Sequence, residues 1–425
     1  KRYSMNTTTI FPFRPPRNCS LFIKFVQYIL EPIMLPLIPK ISRIEINPIN
    51  LSLLKSFKGK RVILISNHAE MTEPYVIFAL SRMVGEEFNY LTAREVFEDY
   101  YPAGRLLQAL GCYSVIRGAP DRNSLRATSE ILVKGKNWLV IFPEGVSTGA
   151  SDVLMPFQPG IGQFAFRAYD ELTKKGEKPD IFFVPIAIKT FYIHNMDLPI
   201  DRALRHFETK LLPGTDQGKR DYQERLVALG EAMLVSKEHE YGVSPQPGTS
   251  LSQRISTMKE VIIAATAKEI GVEDHPEHIL PDRLRDLINT LDQYIHRQNQ
   301  AKDTEESAKV LRERAKMLRH SLDTATNFMA LDHQYLELPM TTERFLDIVG
   351  LLERETFGKR RFWGQRKAVI KVGLPVNLND FASQYRASKK DAFLAISRAL
   401  EAKVRNMLQE LSQRSELLQQ LKKDG

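Results

Sequence analysis

The chain has 425 residues, of which 43% are hydrophobic and 26% are charged, and it contains two cysteines. A chain of this length buries a large core and has room for two domains, while two cysteines exclude a disulfide framework and fit a reducing, intracellular compartment. The net charge of +9 comes from residues 1–61, which hold eleven Lys or Arg and two acidic residues, because the rest of the chain is balanced. This local excess predicts an anionic partner, either lipid headgroups or nucleic acid.

Residues 1–40 contain part of this excess positive charge together with an apolar run from Leu21 to Pro39. A membrane-spanning helix needs about 20 largely uncharged apolar residues, whereas Lys24, Glu31 and three prolines interrupt this run. A signal peptide would be followed by a clear small-residue cleavage site, and this run is not. We therefore predict a membrane-interface segment on a peripheral protein at the cytoplasmic face. The alternative is a core-packing helix with a basic lead-in.

Strand and helix patterns alternate over residues 41–195. Short apolar runs predict strands at 61–66, 88–93, 113–116, 138–142 and 180–191, and amphipathic patterns predict helices at 74–83, 121–134 and 161–174. This alternation is typical of an α/β fold with helices on both faces of a sheet. We predict that residues 41–195 form the first part of such a domain.

Residues 196–364 differ, because they are mostly charged and carry apolar stripes at helical spacing. Asp303 and Glu306 give one of these helices a start that resembles a capping box. A strand pattern returns at 368–373, and a long amphipathic helix closes the chain. We therefore predict an α/β fold with a mixed sheet flanked by helices, interrupted by a helical insertion before the last strand, which residues 365–425 complete.

The loop just before that last strand mixes basic and aromatic residues. Such a composition in Phe357–Gly364 suits a second contact with a membrane. An exposed loop with Phe362 and Trp363 packed inward is an equally good interpretation.

His68 follows directly on the strand predicted at 61–66, and Glu73 stands five residues later, just before Pro74. Pro suits the start of a helix, so His68 lies in a turn and Glu73 at a helix start. Positions five apart on one continuous helix point in different directions, whereas a turn lets the two side chains converge. A carboxylate that holds one imidazole nitrogen leaves the other as a base for a hydroxyl proton. We predict a catalytic His68–Glu73 pair; a structural histidine is the alternative.

Three further signals lie at or within predicted strands. The Phe142–Gly145 turn directs Glu144 out of the sheet edge, where open α/β sheets bind ligands, although an ordinary exposed turn would read the same way. Arg117 places a cation at the end of the strand predicted at 113–116. Pro185 removes a ladder hydrogen bond from the strongest strand, which predicts a bulge, an edge or a substrate wall.

The order and spacing of these elements resemble the glycerolipid acyltransferase family, which includes glycerol-3-phosphate and 1-acylglycerol-3-phosphate acyltransferases. Four ordered blocks carry the resemblance, which spans residues 41–195 and 366–425. The positions that match the family's catalytic and substrate-binding residues are Asn67, His68, Glu73, Arg94, Arg117, Phe142, Pro143, Glu144, Gly145 and Pro185. Two positions depart from the family pattern: Glu73 stands where Asp is usual, and Ser147 stands where an Arg usually meets the acceptor phosphate.

The resemblance implies an enzyme of phospholipid biosynthesis. It would move a fatty acyl group from acyl-CoA or acyl carrier protein to the hydroxyl of a glycerol phosphate or lysophospholipid. His68 would be the base, oriented by Glu73, while Arg94 and Arg117 would hold phosphate. Glu144 would contact the acceptor, and nearby backbone N–H groups would stabilise the oxyanion. No metal is expected, and no cofactor beyond the acyl donor.

Two other functions compete with this one. The departures at Glu73 and Ser147 would also fit a catalytically decayed acyltransferase fold that acts as a lipid-binding or membrane scaffold protein. Nucleic-acid binding would use the same basic segment, but no groove-reading motif accompanies it, so we expect no nucleic-acid partner. The sequence leaves the oligomeric state open.

Overall fold

A computed structural model describes residues 13–99, 103–118, 121–215, 220–298, 305–331 and 338–418. Within them, one central sheet has the strand order β1-β7-β6-β2-β5-β3-β4, and β8 also pairs with β6. The strands are β1 (Ile41–Ile46), β2 (Arg61–Ser66), β3 (Phe88–Ala93), β4 (Cys112–Val115), β5 (Trp138–Ile141), β6 (Ile181–Tyr192), β7 (Arg366–Val372) and β8 (Val376–Asn377).

Helices precede the sheet, connect its strands and close the chain. Those of the sheet-forming parts are α1 (Ser20–Ile29), α2 (Leu35–Leu37), α3 (Pro48–Lys55), α4 (Glu73–Val84), α5 (Glu95–Asp99), α6 (Ala103–Ala109), α7 (Arg122–Lys134) and α8 (Gly160–Lys174). Between β6 and β7 lie α9 (Asp197–Leu211), α10 (Tyr222–Glu240), α11 (Leu251–Ile270), α12 (Leu280–Gln298), α13 (Glu305–Ala330) and α14 (Thr342–Phe357). After β8 come α15 (Ala382–Ala387) and α16 (Lys389–Ser412).

Most of the sheet is parallel. Strands β2, β3, β4, β5 and β6 run in one direction, whereas β7 and β8 are antiparallel to β6, and β1 is parallel to β7. The carboxyl ends of β2, β3, β4 and β5 therefore meet along one edge of the sheet. The predicted mixed sheet flanked by helices is confirmed.

The central strands are largely apolar because helices cover both faces of the sheet. In β2, Ile63 and Ile65 pack with α7, α8 and α16, while Val62 and Leu64 pack with α1, α3 and α4 on the opposite face. All four of these side chains are fully buried. This double coverage explains why β2 reads as an unbroken apolar run in the sequence.

The edge strand β1 was not predicted. Its residues Ile41–Ile46 mix apolar with polar side chains, and most of them are at least partly exposed. The pattern is short and interrupted by Arg43 and Glu45, which suits an edge that must resist further pairing. The register with β7 also shifts between Ile41 and Arg43.

Pro185 lies inside the sheet, opposite Ile65 of β2. On its other side β7 ends at Val372 and β8 begins only at Val376, so the proline falls in the gap between two antiparallel partners. Its carbonyl still accepts a hydrogen bond from the Gly373 N–H at 2.8 Å. The N–H that proline lacks would point to the same side as this carbonyl, into the gap after β7.

The helices between β6 and β7 build two apolar clusters of their own. One contains side chains of α9, α10 and α14, and the other contains side chains of α11, α12 and α13. The stripes seen in the sequence face inward, since Leu284, Leu291, Leu318 and Leu322 are buried. Asp303, the proposed capping residue, lies outside the described residues.

The N-terminal segment packs one face on the sheet domain and exposes the other. Ile23, Val26, Leu30 and Leu35 are buried in the cluster that also contains α4 side chains. The exposed apolar side chains are Leu21, Phe25, Tyr28, Ile33, Leu37 and Ile38, which we call the exposed stripe. By length and composition alone, the helical stretch Ser20–Leu37 could also cross a membrane.

The aromatic side chains of the loop before β7 are packed rather than displayed. Both Phe362 and Trp363 are partly buried. The Arg366 guanidinium carbon lies 4.0 Å from the centre of the Phe362 ring, and Trp363 packs on the cluster of α9, α10 and α14. The inward-packed interpretation is therefore the one that the structure supports.

Candidate active site

His68 and Glu73 converge in the turn between β2 and α4. Strand β2 ends at Ser66, and Glu73 is the first residue of α4. Between them Met71 adopts a left-handed backbone conformation with φ of 63°, which bends the chain back on itself. The imidazole Nδ1 of His68 lies 3.2 Å from Glu73 Oε2, the distance that the predicted pair requires.

The second carboxylate oxygen of Glu73 is also used. Glu73 Oε1 accepts a hydrogen bond from the Glu70 N–H at 3.0 Å, and the side chain is buried. Glutamate in place of the family's usual aspartate therefore still reaches His68, because the turn itself holds its far oxygen.

Each residue of the turn before Glu70 is bound to a different part of the molecule. The Asn67 amide donates to the Ile188 carbonyl at 2.9 Å and accepts from the Ile188 N–H at 2.8 Å, which ties it to β6. The His68 N–H donates to Glu144 Oε1 at 2.6 Å. The Ala69 carbonyl accepts from the Gly149 N–H at 2.8 Å. The histidine backbone is consequently fixed from three directions.

Glu144 faces inward, contrary to the expectation that it would point out of the sheet edge. Its carboxylate is fully buried; besides the His68 N–H, it accepts a hydrogen bond from the Met155 N–H at 2.8 Å. Burial raises the pKa of Glu144 to about 7, although both backbone hydrogen bonds oppose that rise. In this conformation the carboxylate holds the turn that carries His68, and contact with an acceptor stays a prediction.

The rest of the Phe142–Gly145 turn packs around His68. The Phe142 ring centre lies 4.6 Å from that of the imidazole, while the Pro143 carbonyl accepts from the Gln158 N–H at 3.0 Å. Gly145 has φ of 72°, a left-handed backbone conformation that favours glycine, and a Cβ there would have to displace the end of the Gln158 side chain. The His68 side chain keeps 19% of its surface exposed, which leaves the imidazole reachable.

The two predicted phosphate ligands end neighbouring strands. The Arg94 backbone N–H donates to the Val115 carbonyl at 3.1 Å, which joins the ends of β3 and β4. The Arg94 side chain is buried. Arg117 donates to the Gly145 carbonyl at 3.0 Å. Its guanidinium also forms ion pairs with Asp292 at 2.9 Å and with Glu95 at 3.4 Å.

Side chains of α12 also reach this edge, although no sequence motif predicts them. The Arg285 guanidinium donates to the Glu144 carbonyl at 3.1 Å and to the Pro156 carbonyl. Asp292, one of the Arg117 partners, also pairs with Arg319 of α13. These residues are far from His68 in the sequence and belong to no local motif, so only the packing of α12 reveals them.

A comparison with protein families matches residues 47–189 to the family described as Acyltransferase. The matched segment includes His68, Glu73, Arg117, Glu144 and Pro185. No match to a curated protein was found. The chain therefore carries, over residues 47–189, a domain of the glycerolipid acyltransferase family, whose general chemistry is acyl transfer.

Proposed function

We propose that this protein is an O-acyltransferase of phospholipid biosynthesis. It moves a fatty acyl group from acyl-CoA or acyl carrier protein to the hydroxyl of a glycerol phosphate or lysophospholipid, as a 1-acylglycerol-3-phosphate acyltransferase does. The observation that carries the proposal is the 3.2 Å approach of His68 Nδ1 to Glu73 Oε2, at the sheet edge and inside the matched domain.

In the proposed reaction His68 acts as a general base. When Nδ1–H donates a hydrogen bond to Glu73 and keeps its proton, Nε2 presents a lone pair that can accept the hydroxyl proton of the acceptor. The oxygen then attacks the thioester carbonyl carbon, and the carbon–sulfur bond breaks as the tetrahedral intermediate collapses. The proton on Nε2 passes to the departing sulfur, so the products are an ester and a free thiol.

Arg94 and Arg117 are the proposed ligands of the acceptor phosphate. Both follow strand ends at the edge that holds His68, and guanidinium groups bind phosphate through charge-assisted hydrogen bonds. The Arg117 side chain is 21% exposed and now faces Asp292. A phosphate would therefore compete with this carboxylate for the Arg117 guanidinium.

The proposed location of the enzyme is the cytoplasmic face of an anionic membrane. Two features support this: the excess positive charge in residues 1–61 and the exposed stripe on the N-terminal segment. An apolar helix face flanked by basic residues lies stably in the membrane interface. The lipid acceptor would then reach His68 without leaving the surface.

The test is the release of thiol by purified protein and by the His68→Ala variant. Donors are acyl-CoA and acyl carrier protein, each crossed with phosphorylated and non-phosphorylated lysolipids. Loss of a general base lowers turnover by about 10²–10⁴-fold, and we expect folding to be unchanged. The control is His206→Ala, because His206 stacks on Phe357 away from the sheet edge.

Full turnover by the His68→Ala variant would contradict the mechanism. If wild-type protein releases no thiol with any donor and acceptor yet binds lipid, the protein is instead a lipid-binding or scaffold protein on this fold.

A further inference from the structure

Glu70 is a buried carboxylate two residues after His68, and the proposed chemistry does not use it. Its Oε2 accepts hydrogen bonds from Arg366 Nη1 at 2.7 Å and from Thr190 Oγ1 at 2.9 Å. Its Oε1 accepts from Arg366 Nη1 at 2.9 Å and from Arg360 Nη2 at 3.0 Å. Two guanidinium groups thus hold one carboxylate inside the protein.

The two arginines come from the chain just before and at the start of β7, and each has a second anchor. Arg360 donates to the Gly149 carbonyl at 2.6 Å and pairs with Asp347 of α14 at 2.6 Å. Arg366 donates to the Pro39 carbonyl at 2.7 Å, at the end of the N-terminal segment. Through Glu70, the catalytic turn is therefore linked to α14, to the start of β7 and to the N-terminal segment.

The connection from Glu70 to the reacting group is short. The Glu70 N–H holds Glu73 Oε1 at 3.0 Å, and the other oxygen of Glu73 contacts His68 Nδ1. The position of the Glu70 backbone consequently decides where Glu73 can present its second oxygen. Because Met71 is left-handed, the turn needs such external restraint to keep one geometry.

The Glu70 carboxyl group stays ionised at neutral pH. Burial opposes its ionisation, but Arg366 and Arg360 outweigh burial and lower the pKa of Glu70 to about 2. A buried ion pair contributes little net stability compared with an apolar substitute, and its best-attested use is to specify one geometry. A role in setting geometry fits a cluster placed beside a catalytic turn.

We propose that Glu70, held by Arg360 and Arg366, is a positioning residue that sets Glu73 against His68. The inference rests on the proposed function, because it assumes that Glu73 orients the base. It goes further in assigning a role to residues of the chain that lie outside the matched domain.

The experiment is a double-mutant cycle between Glu70→Gln and Glu73→Gln, with kcat and KM measured by thiol release. We expect Glu70→Gln to lower kcat about tenfold while KM stays within about twofold, because substrate binding does not involve Glu70. In the Glu73→Gln background the same change should lower kcat no further, since the carboxylate through which Glu70 acts is already replaced by a neutral amide. A purely structural role would instead give additive losses.

Two variants guard against a general loss of stability. Thr190→Val keeps every charge but removes the hydroxyl that donates to Glu70 and accepts from Arg366 Nη1 at 3.0 Å. It should lower kcat two- to threefold at constant KM even if Glu70→Gln does not fold. Glu208→Gln is the matched control, because Glu208 accepts two hydrogen bonds from the buried Arg225, at 2.6 and 2.9 Å, away from the turn. It should destabilise the fold and leave kcat unchanged.

The possible failures are distinguishable. Full activity of His68→Ala and Glu73→Gln would overturn the proposed function and this inference with it. If those two variants are inactive but the Glu70→Gln loss is additive, or Thr190→Val keeps full kcat, the inference alone is overturned.

Discussion

Glu144 combines complete burial with two backbone N–H donors, and these two influences act on its carboxyl group in opposite directions. Desolvation is the larger, so the pKa rises from 4.5 to about 7. A carboxyl group whose pKa is raised in the folded state binds its proton more tightly there than in the unfolded chain. Its contribution therefore weakens the fold as pH rises from 4.5 to 7 and is constant above that range.

The Glu144→Gln variant tests this pH dependence. Glutamine does not titrate, so the stability of the variant relative to wild type should increase between pH 5 and pH 8 by about 2.5 kcal/mol. The measurement is urea unfolding of both proteins at the two pH values. Other titrating groups are common to both proteins and cancel in this difference. A stability difference that is the same at both pH values would contradict the burial argument.

At the scale of single residues, the sequence was informative about contacts between residues that lie close together along the chain. His68 and Glu73 were predictable because one turn contains both, and the Pro after Glu73 marks the helix start. The contacts of Arg285 and Arg360 were not predictable, because they depend on how distant parts of the chain pack on the sheet. The inward direction of Glu144 was missed for the same reason: its partner Met155 lies beyond the turn.

Among the elements, strands with both faces buried were predicted most closely. The observed bounds of β2 and β3 agree with the predicted ones, because both strands are bounded by polar residues or turns. Strand β1 was missed because an edge strand carries exposed charges that break the apolar pattern. Pro185 was identified as unusual, but only the break between β7 and β8 explains how the sheet accommodates it.

Helix α12 gives a prediction about acceptor binding. Asp292 pairs with Arg117, so the Asp292→Asn variant should free this guanidinium for a phosphate. We expect KM for a phosphorylated lysolipid to fall about fivefold, equivalent to about 1 kcal/mol, while KM for a non-phosphorylated acceptor stays the same. Thiol release with the two acceptors is the measurement.

The control is Asp286→Asn, which removes the same charge from an exposed position on the same helix. It should leave both KM values unchanged. An equal fall in KM for both acceptors, or a rise for the phosphorylated one, would show that Arg117 does not bind phosphate.

For the molecule as a whole, the N-terminal segment combines the exposed stripe with an excess of basic residues in its sequence. Burying one large apolar side chain contributes about 1.5–3 kcal/mol. The Leu21→Ser/Phe25→Ser double variant should therefore bind vesicles of phosphatidylcholine and phosphatidylserine at least about tenfold more weakly than wild type. Vesicle co-sedimentation measures the change.

The matched control is Leu198→Ser/Val235→Ser, because these side chains are 70% and 55% exposed on α9 and α10, outside the exposed stripe. It should bind vesicles as wild type does. Equal weakening by both double variants would indicate a nonspecific effect, and no weakening by the first would remove the stripe from the membrane contact.

The two points where the chain leaves and rejoins the sheet are direct neighbours. Tyr192 at the end of β6 pairs with Arg366 at the start of β7, and the Ile193 N–H donates to the Gln365 carbonyl at 3.2 Å. A hairpin connection of two to five residues could bridge this gap, so excising everything between the two strands would leave their ladder intact. The shortened protein would nevertheless lack Arg360, and Glu70 would then face only one of its two cations.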